Sequence, residues 1–564
     1  MKIASIIDNQ LAAPHGNRKG LSYGQLAVLL LTYIVSEADH RICCLETWVS
    51  EHQRSLKAIT EWEIREKEAT DDRCGDLLRI IGLTEALPQM EMSLSQHLVK
   101  AYELPTSQAR SDTTSFSVYH QISEDVEEES LIKFGYSKDK RPDLRQYRQM
   151  LATLDPLGMP LLGATLAGNG GDESEYLPTW RKMREILGHR EFLYLADSKA
   201  STWSNRAKIQ GEGGIYCFPL AMTQPRPKLL ADWVKNPPTE VIKIVEKADA
   251  ELRGSLGDYP HQADEGESED LEIGKGFEVP LGNIWVEPET EKRYQWEERW
   301  LVLKSNALAS RQIKGLESRL AKGEEALLSL QKRPGKDEKR LEQKIQEIVK
   351  SYRLTKYVEY SIDRNISYKK VYKGRGSRSE DSSYRRVRQI NLILNYQRLS
   401  TEIESFKTVA GWRLYVTNAT SERLSLTEAV QAYKQQWQPE MGFHRFKKGR
   451  LSALPIYFRD EKKIKGLMFL LTIALRVFTL MEFVVRRQLH QSQSSLARLY
   501  SGNPKRTTKR PTAEKMLRAF NNITLYIHRD DSIEISGLNL VQQKILRLMN
   551  VEESIYTTDY FASG

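Results

Sequence analysis

The sequence predicts a mixed α/β fold that follows an all-helical region and is interrupted by a long insertion. Apolar residues recur at helical spacing in residues 1–105, whereas short β-branched and aromatic runs alternate with helical segments in residues 106–220. A different pattern intervenes in residues 221–405, and the α/β pattern resumes in residues 406–490. Strands and helices that alternate in this way are typical of a mixed sheet covered by helices.

The first 105 residues are predicted to form a helical domain. Ser22 can cap the apolar stretch SYGQLAVLLLTYIVS, and DDRCGDLLRIIGL offers an aspartate cap to another helix, since both residue types accept hydrogen bonds from the first turn. No alternating strand pattern is found in this part of the sequence.

The α/β core is predicted in two parts. In residues 106–220, the strand candidates are ARSDTTSFSVYH, LRQYRQMLATLD, MPLLGATLAGN, EFLYLAD and GIYCFPL, with the helix ESEYLPTWRKMREIL after the third. DPLG is a turn signal between the second and third strands. In residues 406–490, GWRLYVTN predicts a returning strand and LSLTEAVQAYKQQW a helix.

The interrupting residues 221–405 are predicted to form an insertion domain. RYQWEERWLVLK predicts a strand, and two amphipathic helices between residues 306 and 354, broken at RPGKD, predict a helical hairpin. The stretch YKKVYKGRGSRS is predicted to be a basic loop. Residues 491–564 hold a basic linker, PKRTTKRP, and a small helical and mixed tail.

Composition narrows the function classes. Lysine and arginine number 84 against 75 acidic residues, a net charge of +9 with a pI near 9.0, which favours nucleic acid as a partner before a membrane. Four scattered cysteines exclude a disulfide scaffold and a zinc-ligand set and favour the cytoplasm. No export signal is recognised. The apolar run 466–485 contains Arg476 and Glu482, so we expect a buried core helix rather than a membrane span.

Three carboxylates are candidates for a metal site. Asp112 lies in the first core strand, Asp197 ends the fourth, and Glu440 lies in or beside the helix after the interruption. Singly, each is explained by a turn cap or a surface ion pair. If the first and fourth strands are neighbours, however, the aspartates project near one edge, and a helix laid across it brings Glu440 into range. Clustered oxygen donors suit two Mg²⁺ or Mn²⁺ ions and in-line phosphoryl transfer.

Other chemistries find little support. We find no convincing nucleophilic triad, and the glycine-rich AGNGGDES lacks the lysine and the serine or threonine of a phosphate-binding loop. In YKQQWQPEMGFHRFKK, residues Tyr433, Glu440 and Lys447 are spaced by seven and share one helical face. That face either follows a phosphate backbone or is part of an ordinary amphipathic helix. Pro439 either kinks this helix or lies in the first turn of a new one.

The ordered motifs resemble a DDE transposase of a bacterial insertion sequence, from the group with a Tyr-x2-Arg-x3-Glu-x6-Lys signature. The resemblance rests on SDTTSF around Asp112, GYSKDKRPDLRQ, YLADS around Asp197, and YKQQWQPEMGFHRFK ending at Lys447. GLSYGQLAVLLL and DDRCGDLL are similar to the helical leader of these proteins. The interval of 440 − 197 = 243 residues before Glu440 resembles their insertion domain.

The resemblance implies a ribonuclease H-like core in which Asp112, Asp197 and Glu440 are catalytic and bind two Mg²⁺ or Mn²⁺ ions. It implies cleavage of double-stranded DNA at terminal inverted repeats, transfer of the 3′-hydroxyl ends into target DNA, and a homodimer in a synaptic complex, in the bacterial cytoplasm and on the nucleoid. The helical leader is expected to bind DNA or to dimerise. Tyr433 and Lys447 are expected to contact DNA phosphates near the cleavage point.

One departure from the signature bears on activity. The signature arginine falls at Gln436, which cannot make a bidentate phosphate clamp. Three alternatives follow: Arg445 or Lys434 takes its place, the element's end is held less tightly, or the chain is an inactive remnant that only binds DNA. A structure-selective nuclease with the same core is another rival.

The basic stretch is a second candidate DNA contact. Its cations stand beside Tyr368 and Tyr372, a mixture suited to phosphate contacts and stacking, and a solvated basic loop is the alternative. The predicted contacts in this stretch are Lys369, Lys370, Lys373, Arg375 and Arg378.

Overall fold

The fold is described from a computed structural model. It describes residues 1–13, 20–119, 130–246, 271–335, 337–372, 384–435, 437–500, 502–530 and 532–562.

The N-terminal region is helical in its described residues. Ser22 caps the second helix in a capping box, accepting a hydrogen bond from the Gln25 N–H while the Gln25 side chain accepts one from the Ser22 N–H. The fifth helix is capped by Thr70, one residue before the predicted aspartate cap, and Asp71 and Asp72 lie in its first turn, where negative charge is favourable. The helices are α1 (Ile3–Gln10), α2 (Tyr23–Glu37), α3 (Leu45–Glu51), α4 (Gln53–Thr60), α5 (Asp71–Leu83) and α6 (Leu87–Tyr102).

A nine-stranded mixed sheet forms the centre of the molecule. Its order is β3-β2-β1-β4-β5-β11-β8-β7-β6, with β4 parallel to both β1 and β5 and the other neighbours antiparallel. The first and fourth strands are neighbours, as the acid-cluster hypothesis requires. The strands are β1 (Gln108–Ser117), β2 (Gln146–Leu154), β3 (Met159–Ala167), β4 (Leu193–Leu195), β5 (Ile215–Pro219), β6 (Ile242–Glu246), β7 (Leu271–Val286), β8 (Arg293–Ser305) and β11 (Trp412–Thr417).

The first part of the interruption extends the sheet. Strands β6, β7 and β8 continue it beyond β11, with Trp412 opposite Lys304. Helices α7 (Tyr176–Leu187), α8 (Trp203–Gly211) and α9 (Arg226–Lys235) lie between the strands in sequence. Strand β8 thus pairs with β11 and belongs to the core sheet.

The second part of the interruption forms a module with its own core. It contains α10 (Asn306–Lys332), α11 (Glu338–Ser351), β9 (Val358–Tyr372), β10 (Tyr384–Arg398) and α12 (Ser400–Val409). Apolar side chains of both long helices, including Leu320 and Ile345, pack with those of the two strands. The module leaves and rejoins the sheet at adjacent backbones, where the Ser305 N–H donates to the Gly411 carbonyl at 3.0 Å.

One prediction for this module was wrong. Residues 368–372 of the predicted basic loop are strand, because β9 pairs with β10 along its whole length, ending at Tyr372 opposite Tyr384. The pairing partner lies downstream of the basic stretch, which therefore carries no local sign of a hairpin.

The long helix α15 (Glu461–Gln491) packs against strand β3 of the sheet. In the sequence it follows α13 (Leu426–Lys434) and α14 (Trp437–Lys447). By length and composition α15 could cross a membrane, but 78% of its apolar window is buried inside the protein. Its Arg476 guanidinium pairs with Glu91 of α6 at 2.9 Å and donates to two carbonyls of β3. The expectation of a buried core helix is confirmed.

The C-terminal region packs on the end of α15, where Met516 and Ile545 join Val485 and Leu489 in one apolar cluster. Its elements are α16 (Ala513–Arg518), β12 (Leu525–Ile527), β13 (Ile533–Ile535), α17 (Leu540–Leu548) and α18 (Thr558–Ala562).

The buried pair between α6 and α15 gives a stability prediction. Glu91→Ala leaves the Arg476 charge buried without its carboxylate and the Gly163 N–H without its acceptor. We expect this change to lower the free energy of unfolding by about 3–5 kcal/mol, measured by urea denaturation. Glu404→Ala, which removes the exposed pair with Lys407, is the control and should cost less than about 1 kcal/mol. Equal costs would contradict the structural role of the buried pair.

Candidate active site

The two aspartates lie at the same level of adjacent parallel strands. The last registered pair between β1 and β4 is Arg110 opposite Leu195, and Asp112 and Asp197 each lie two residues further on. Neighbouring strands are about 4.8 Å apart. The sheet therefore brings the backbones of these two acids close together.

Asp112 carries the clearest electrostatic sign of a clustered site. Its side chain is 23% exposed, accepts a hydrogen bond from the Thr113 N–H at 2.7 Å and lies 4.0 Å from the Lys138 ammonium. Burial, together with the smaller effects of the negative charges of Asp197 and Glu440, raises the pKa of Asp112 to about 6 against the opposing effects of Lys138 and Thr113. The three acids are thus close enough for the other two to disfavour the ionised form of Asp112.

Asp197 is oriented by a tyrosine of the predicted helix ESEYLPTWRKMREIL that was not singled out from the sequence. The Tyr176 hydroxyl donates to Asp197 Oδ1 at 2.7 Å, and the Lys199 N–H donates to the same oxygen at 2.9 Å. Tyr176 is in turn held by the Tyr194 hydroxyl, which donates to its carbonyl at 3.2 Å. The sequence signal for Tyr176 was its place in the apolar stripe of the helix, which does not distinguish a core residue from a positioning one.

A fourth acid, Asp172, was missed. It is buried in the glycine-rich stretch between β3 and α7, and its carboxylate receives Arg148 at 2.8 Å, Lys199 at 2.7 Å and Lys138 at 3.3 Å. Burial alone would raise the pKa of Asp172, but the hydrogen bonds from Lys199 and Arg148 and the charge of Lys138 outweigh it, so that the pKa lies well below its usual range. Asp172 therefore holds two lysines next to the candidate metal ligands.

The helix that carries Glu440 is separate from the one that carries Tyr433. Helix α13 ends at Lys434 and α14 begins at Trp437, so the prediction of one continuous face through Tyr433, Glu440 and Lys447 was wrong. Pro439 lies in the first turn of α14, which was one of the two alternatives for this residue. The missing N–H of proline costs nothing in a first turn.

Helix α14 is docked so that Glu440 remains exposed. The Gln438 side chain donates to the Pro156 carbonyl at 2.7 Å, and Phe443 and Phe446 are buried in the core beneath the sheet. A Cβ at Gly442 would lie 3.1 Å from Leu475 of α15, so glycine permits this close approach. These contacts hold α14 against β1 and β2 with Glu440 on its open side.

The structure gives Tyr433 an internal partner. Its ring lies 4.2 Å from that of Tyr415, and its hydroxyl donates to the Ala196 carbonyl at 3.0 Å, one residue before Asp197. Burial raises the pKa of Tyr433 well above its ordinary value. In this arrangement Tyr433 supports the chain that presents Asp197.

Lys447 is also paired within the protein. Its ammonium lies 2.8 Å and 3.0 Å from the two oxygens of Asp139 and 5.5 Å from the centre of the Phe116 ring. Asp139 follows Lys138 directly, so one short segment of GYSKDKRPDLRQ contacts both the Asp112 side of the site and the end of α14.

The other predicted contacts divide into three groups. Arg445 is buried and pairs with Glu482 and Glu514, so it is not free to replace the signature arginine. Lys434 lies at the end of α13 with an exposed side chain. Lys369 and Lys370 are exposed near the end of β9. Four predicted contacts lie outside the described residues: Gln436, Lys373, Arg375 and Arg378.

The donor set fits a divalent metal by chemistry. Asp112, Asp197 and Glu440 offer the oxygen ligands that Mg²⁺ and Mn²⁺ prefer. The pKa of Asp112 is raised mainly by burial and in smaller part by the negative charges of Asp197 and Glu440, and a cation would relieve both effects. Among the described residues, no group of three or more His, Cys, Asp or Glu side chains is already arranged to hold a metal ion. The three acids are therefore near one another but do not form a complete metal-coordination site.

The raised pKa of Asp112 makes a testable prediction about stability. Ionisation of Asp112 costs the folded state more than the unfolded one, in which its pKa is about 4, so stability is lost as pH rises from about 4 through about 6. Asn cannot ionise. In metal-free buffer at pH 8, we expect Asp112→Asn to raise the free energy of unfolding by about 2 kcal/mol, and the gain to vanish at pH 4.

The control for this experiment is Asp143→Asn. Asp143 is exposed, and its hydrogen bond with Arg141 lowers its pKa, so the same chemical change should bring no gain at pH 8. If Asp112→Asn were no more stable than the parent protein at pH 8, Asp112 would not be crowded by its neighbours.

Comparison with known proteins agrees with this geometry. Residues 111–477, well over half of the chain, match the family model of the transposase DDE domain, and this range includes all three acids. A search among curated proteins finds no match to this sequence. The match over residues 111–477 establishes that the chain belongs to the DDE transposase family.

Proposed function

We propose that this transposase cleaves double-stranded DNA at the terminal inverted repeats of its element and joins the freed 3′-hydroxyl ends to target DNA. The observation that supports this most strongly is the level placement of Asp112 and Asp197 on parallel strands, with the charge of Glu440 acting on Asp112. Carboxylates gathered from a sheet edge and a helix are suited to phosphoryl transfer that needs no protein nucleophile.

In this proposal Asp112, Asp197 and Glu440 hold two Mg²⁺ or Mn²⁺ ions. Bound divalent ions supply charge stabilisation and an activated attacking oxygen in such reactions. The chain's own residues fix the donors: Tyr176 orients Asp197, the Thr113 N–H orients Asp112, and α14 presents Glu440.

The lysines beside the acids have a role in binding phosphate. Asp172 fixes Lys138 and Lys199, and Lys138 lies 4.0 Å from Asp112. We propose that these two ammonium groups attract the scissile phosphate and offset the negative charge of the site while DNA approaches. Lys447 is proposed to contact a neighbouring DNA phosphate. To do so, its ammonium group leaves the carboxylate of Asp139 and pairs with the phosphate instead.

The protein is proposed to act as a homodimer in a synaptic complex, because two element ends must be joined. The helical domain of residues 1–105 and the basic residues Lys369 and Lys370 of β9 supply DNA contacts outside the site. Tyr433 is proposed to act through Ala196, by supporting Asp197 at the DNA.

The acids give the main test. Asp112→Asn, Asp197→Asn and Glu440→Gln should each leave binding of terminal-repeat DNA intact and abolish Mg²⁺-dependent cleavage, because each removes an oxygen donor without changing the size of the side chain. Cleavage is measured on labelled DNA flanking the gene, followed by mapping of nicks and of joined products.

Asp143→Asn is the matched control, since this exposed carboxylate pairs only with Arg141 among the described contacts. It should cleave and join like the parent protein. Full cleavage by any one acid variant would remove that residue from the site. Cleavage without joined products would favour a structure-selective nuclease, and DNA binding without cleavage by the parent protein would favour an inactive remnant.

The departure at the signature arginine gives a second test. Gln436→Arg adds a guanidinium that can grip a phosphate in two places. If the missing clamp limits end binding, the variant should bind terminal-repeat DNA more tightly, with a salt dependence steeper by about one unit in slope, measured by fluorescence anisotropy at several salt concentrations. An unchanged slope would mean that another cation already fills this role.

A further inference from the structure

Strands β9 and β10 form a long ribbon that stands apart from the main sheet. They pair with each other at fifteen successive positions, from Val358 opposite Arg398 to Tyr372 opposite Tyr384, as a separate two-stranded sheet. At about 3.3 Å per residue the ribbon is about 50 Å long. Its base is anchored, because Val358 and Leu394 are buried in the core of the helical module.

Among the described residues, none covers the outer half of the ribbon. In residues 365–372 and 384–391, every side chain except the half-buried Gln389 is exposed. Exposed apolar and aromatic residues are included, with Tyr368 65% and Ile366 45% exposed. A bare two-stranded ribbon of this kind is marginally stable in water, so a surface without cover at this length points to a partner.

The charge of the outer half selects that partner. Residues 365–372 and 384–391 contain five basic residues and no acidic one. A second copy of the ribbon would set five positive charges against five, which is repulsive, whereas a polyanion is attracted. The five cations are Lys369, Lys370, Arg385, Arg386 and Arg388.

One face of the outer half has a regular composition. Directly opposed residues of an antiparallel pair share a face, and every second pair lies on the same side of the ribbon. Three such alternate pairs are Tyr368 with Arg388, Lys370 with Arg386, and Tyr372 with Tyr384. The Lys370 ammonium lies 4.6 Å from the centre of the Tyr384 ring, and the rings of Tyr372 and Tyr384 are 5.7 Å apart. We call these six residues the tyrosine–arginine face.

We infer that the tyrosine–arginine face binds duplex DNA, as a contact site separate from the catalytic acids and without sequence preference. This inference rests on the proposed function for the identity of the DNA. A two-stranded ribbon fits the major groove, and the three cross-strand pairs span about 13 Å, roughly four base pairs. Lysine and arginine reach phosphates while tyrosine hydroxyls contact phosphates and sugars, and such contacts carry no sequence information.

Three of the residues come from β10, which the sequence analysis did not single out. Arg386, Arg388 and Tyr384 lie beyond the basic stretch and reach the same face only because of the strand register. The register therefore adds three β10 residues to Tyr368, Lys370 and Tyr372 of β9, whereas Lys369, opposite Val387, lies on the other face of the ribbon.

The test uses the full-length protein with the triple change Lys370→Ala, Arg386→Ala and Arg388→Ala. The matched control removes three exposed cations of α11 instead, by Lys339→Ala, Arg340→Ala and Lys344→Ala. Binding of a labelled duplex is measured by fluorescence anisotropy at several salt concentrations, and the thermal unfolding of each variant is compared with that of the parent.

We expect the ribbon variant to bind duplex DNA at least about tenfold more weakly and its salt slope to fall by about 2 to 3, with unfolding and the control variant unchanged. The loss should be similar for unrelated duplex sequences. Binding as tight as that of the control, or a loss confined to one sequence, overturns the inference.

The same experiment separates this inference from the proposed function. If the parent protein cleaves terminal-repeat DNA and the ribbon variant binds it normally, the ribbon inference fails and the proposed function stands. If the parent protein binds duplex DNA without cleaving it and the ribbon variant loses that binding, the inference stands and the proposed function fails.

Discussion

The site depends on Arg110, which joins two parts of the chain that are remote in sequence. Its guanidinium is buried two residues before Asp112, pairs with Asp155 at 2.6 Å and donates to the Ala432 carbonyl near the end of α13. A buried guanidinium must satisfy its donors within the protein, and these two partners do so. Arg110 therefore links the strand that carries Asp112 to the helix that precedes Glu440. This link matters because Glu440 lies far along the chain, 243 residues after Asp197.

Around that anchor the charges are arranged in two layers. The acids Asp112, Asp197 and Glu440 form the layer that faces DNA in the proposed function, and the buried Asp172 behind them holds Lys138 and Lys199 in place. The pKa of the inner acid is lowered because three cations pair with it, whereas the pKa of Asp112 is raised mainly by burial and in smaller part by the neighbouring carboxylates. Two chemically identical groups thus have opposite roles, one structural and one suited to a ligand.

The sequence was sufficient for the mixed α/β class and the core strands, since β-branched runs and turn signals are local. The adjacency of the first and fourth strands was only a condition of the acid-cluster hypothesis, and strand order is set by the folded sheet. It did not predict Asp172, because the three cations that define its role, at positions 138, 148 and 199, meet only in the folded chain. The regular spacing of Tyr433, Glu440 and Lys447 suggested one helix, but the break between Lys434 and Trp437 ended that face. The outer ribbon was missed for a related reason, since the pairing partner of β9 follows the basic stretch.

The hydrogen bond between Ser305 and Gly411 has a consequence for the tolerated length of the helical module. Because the helical module departs and returns through neighbouring backbones, its length places almost no demand on the sheet, and closing a longer loop costs only about 0.6 kcal/mol for each doubling. The module can therefore change in length without altering the strands that carry Asp112 and Asp197.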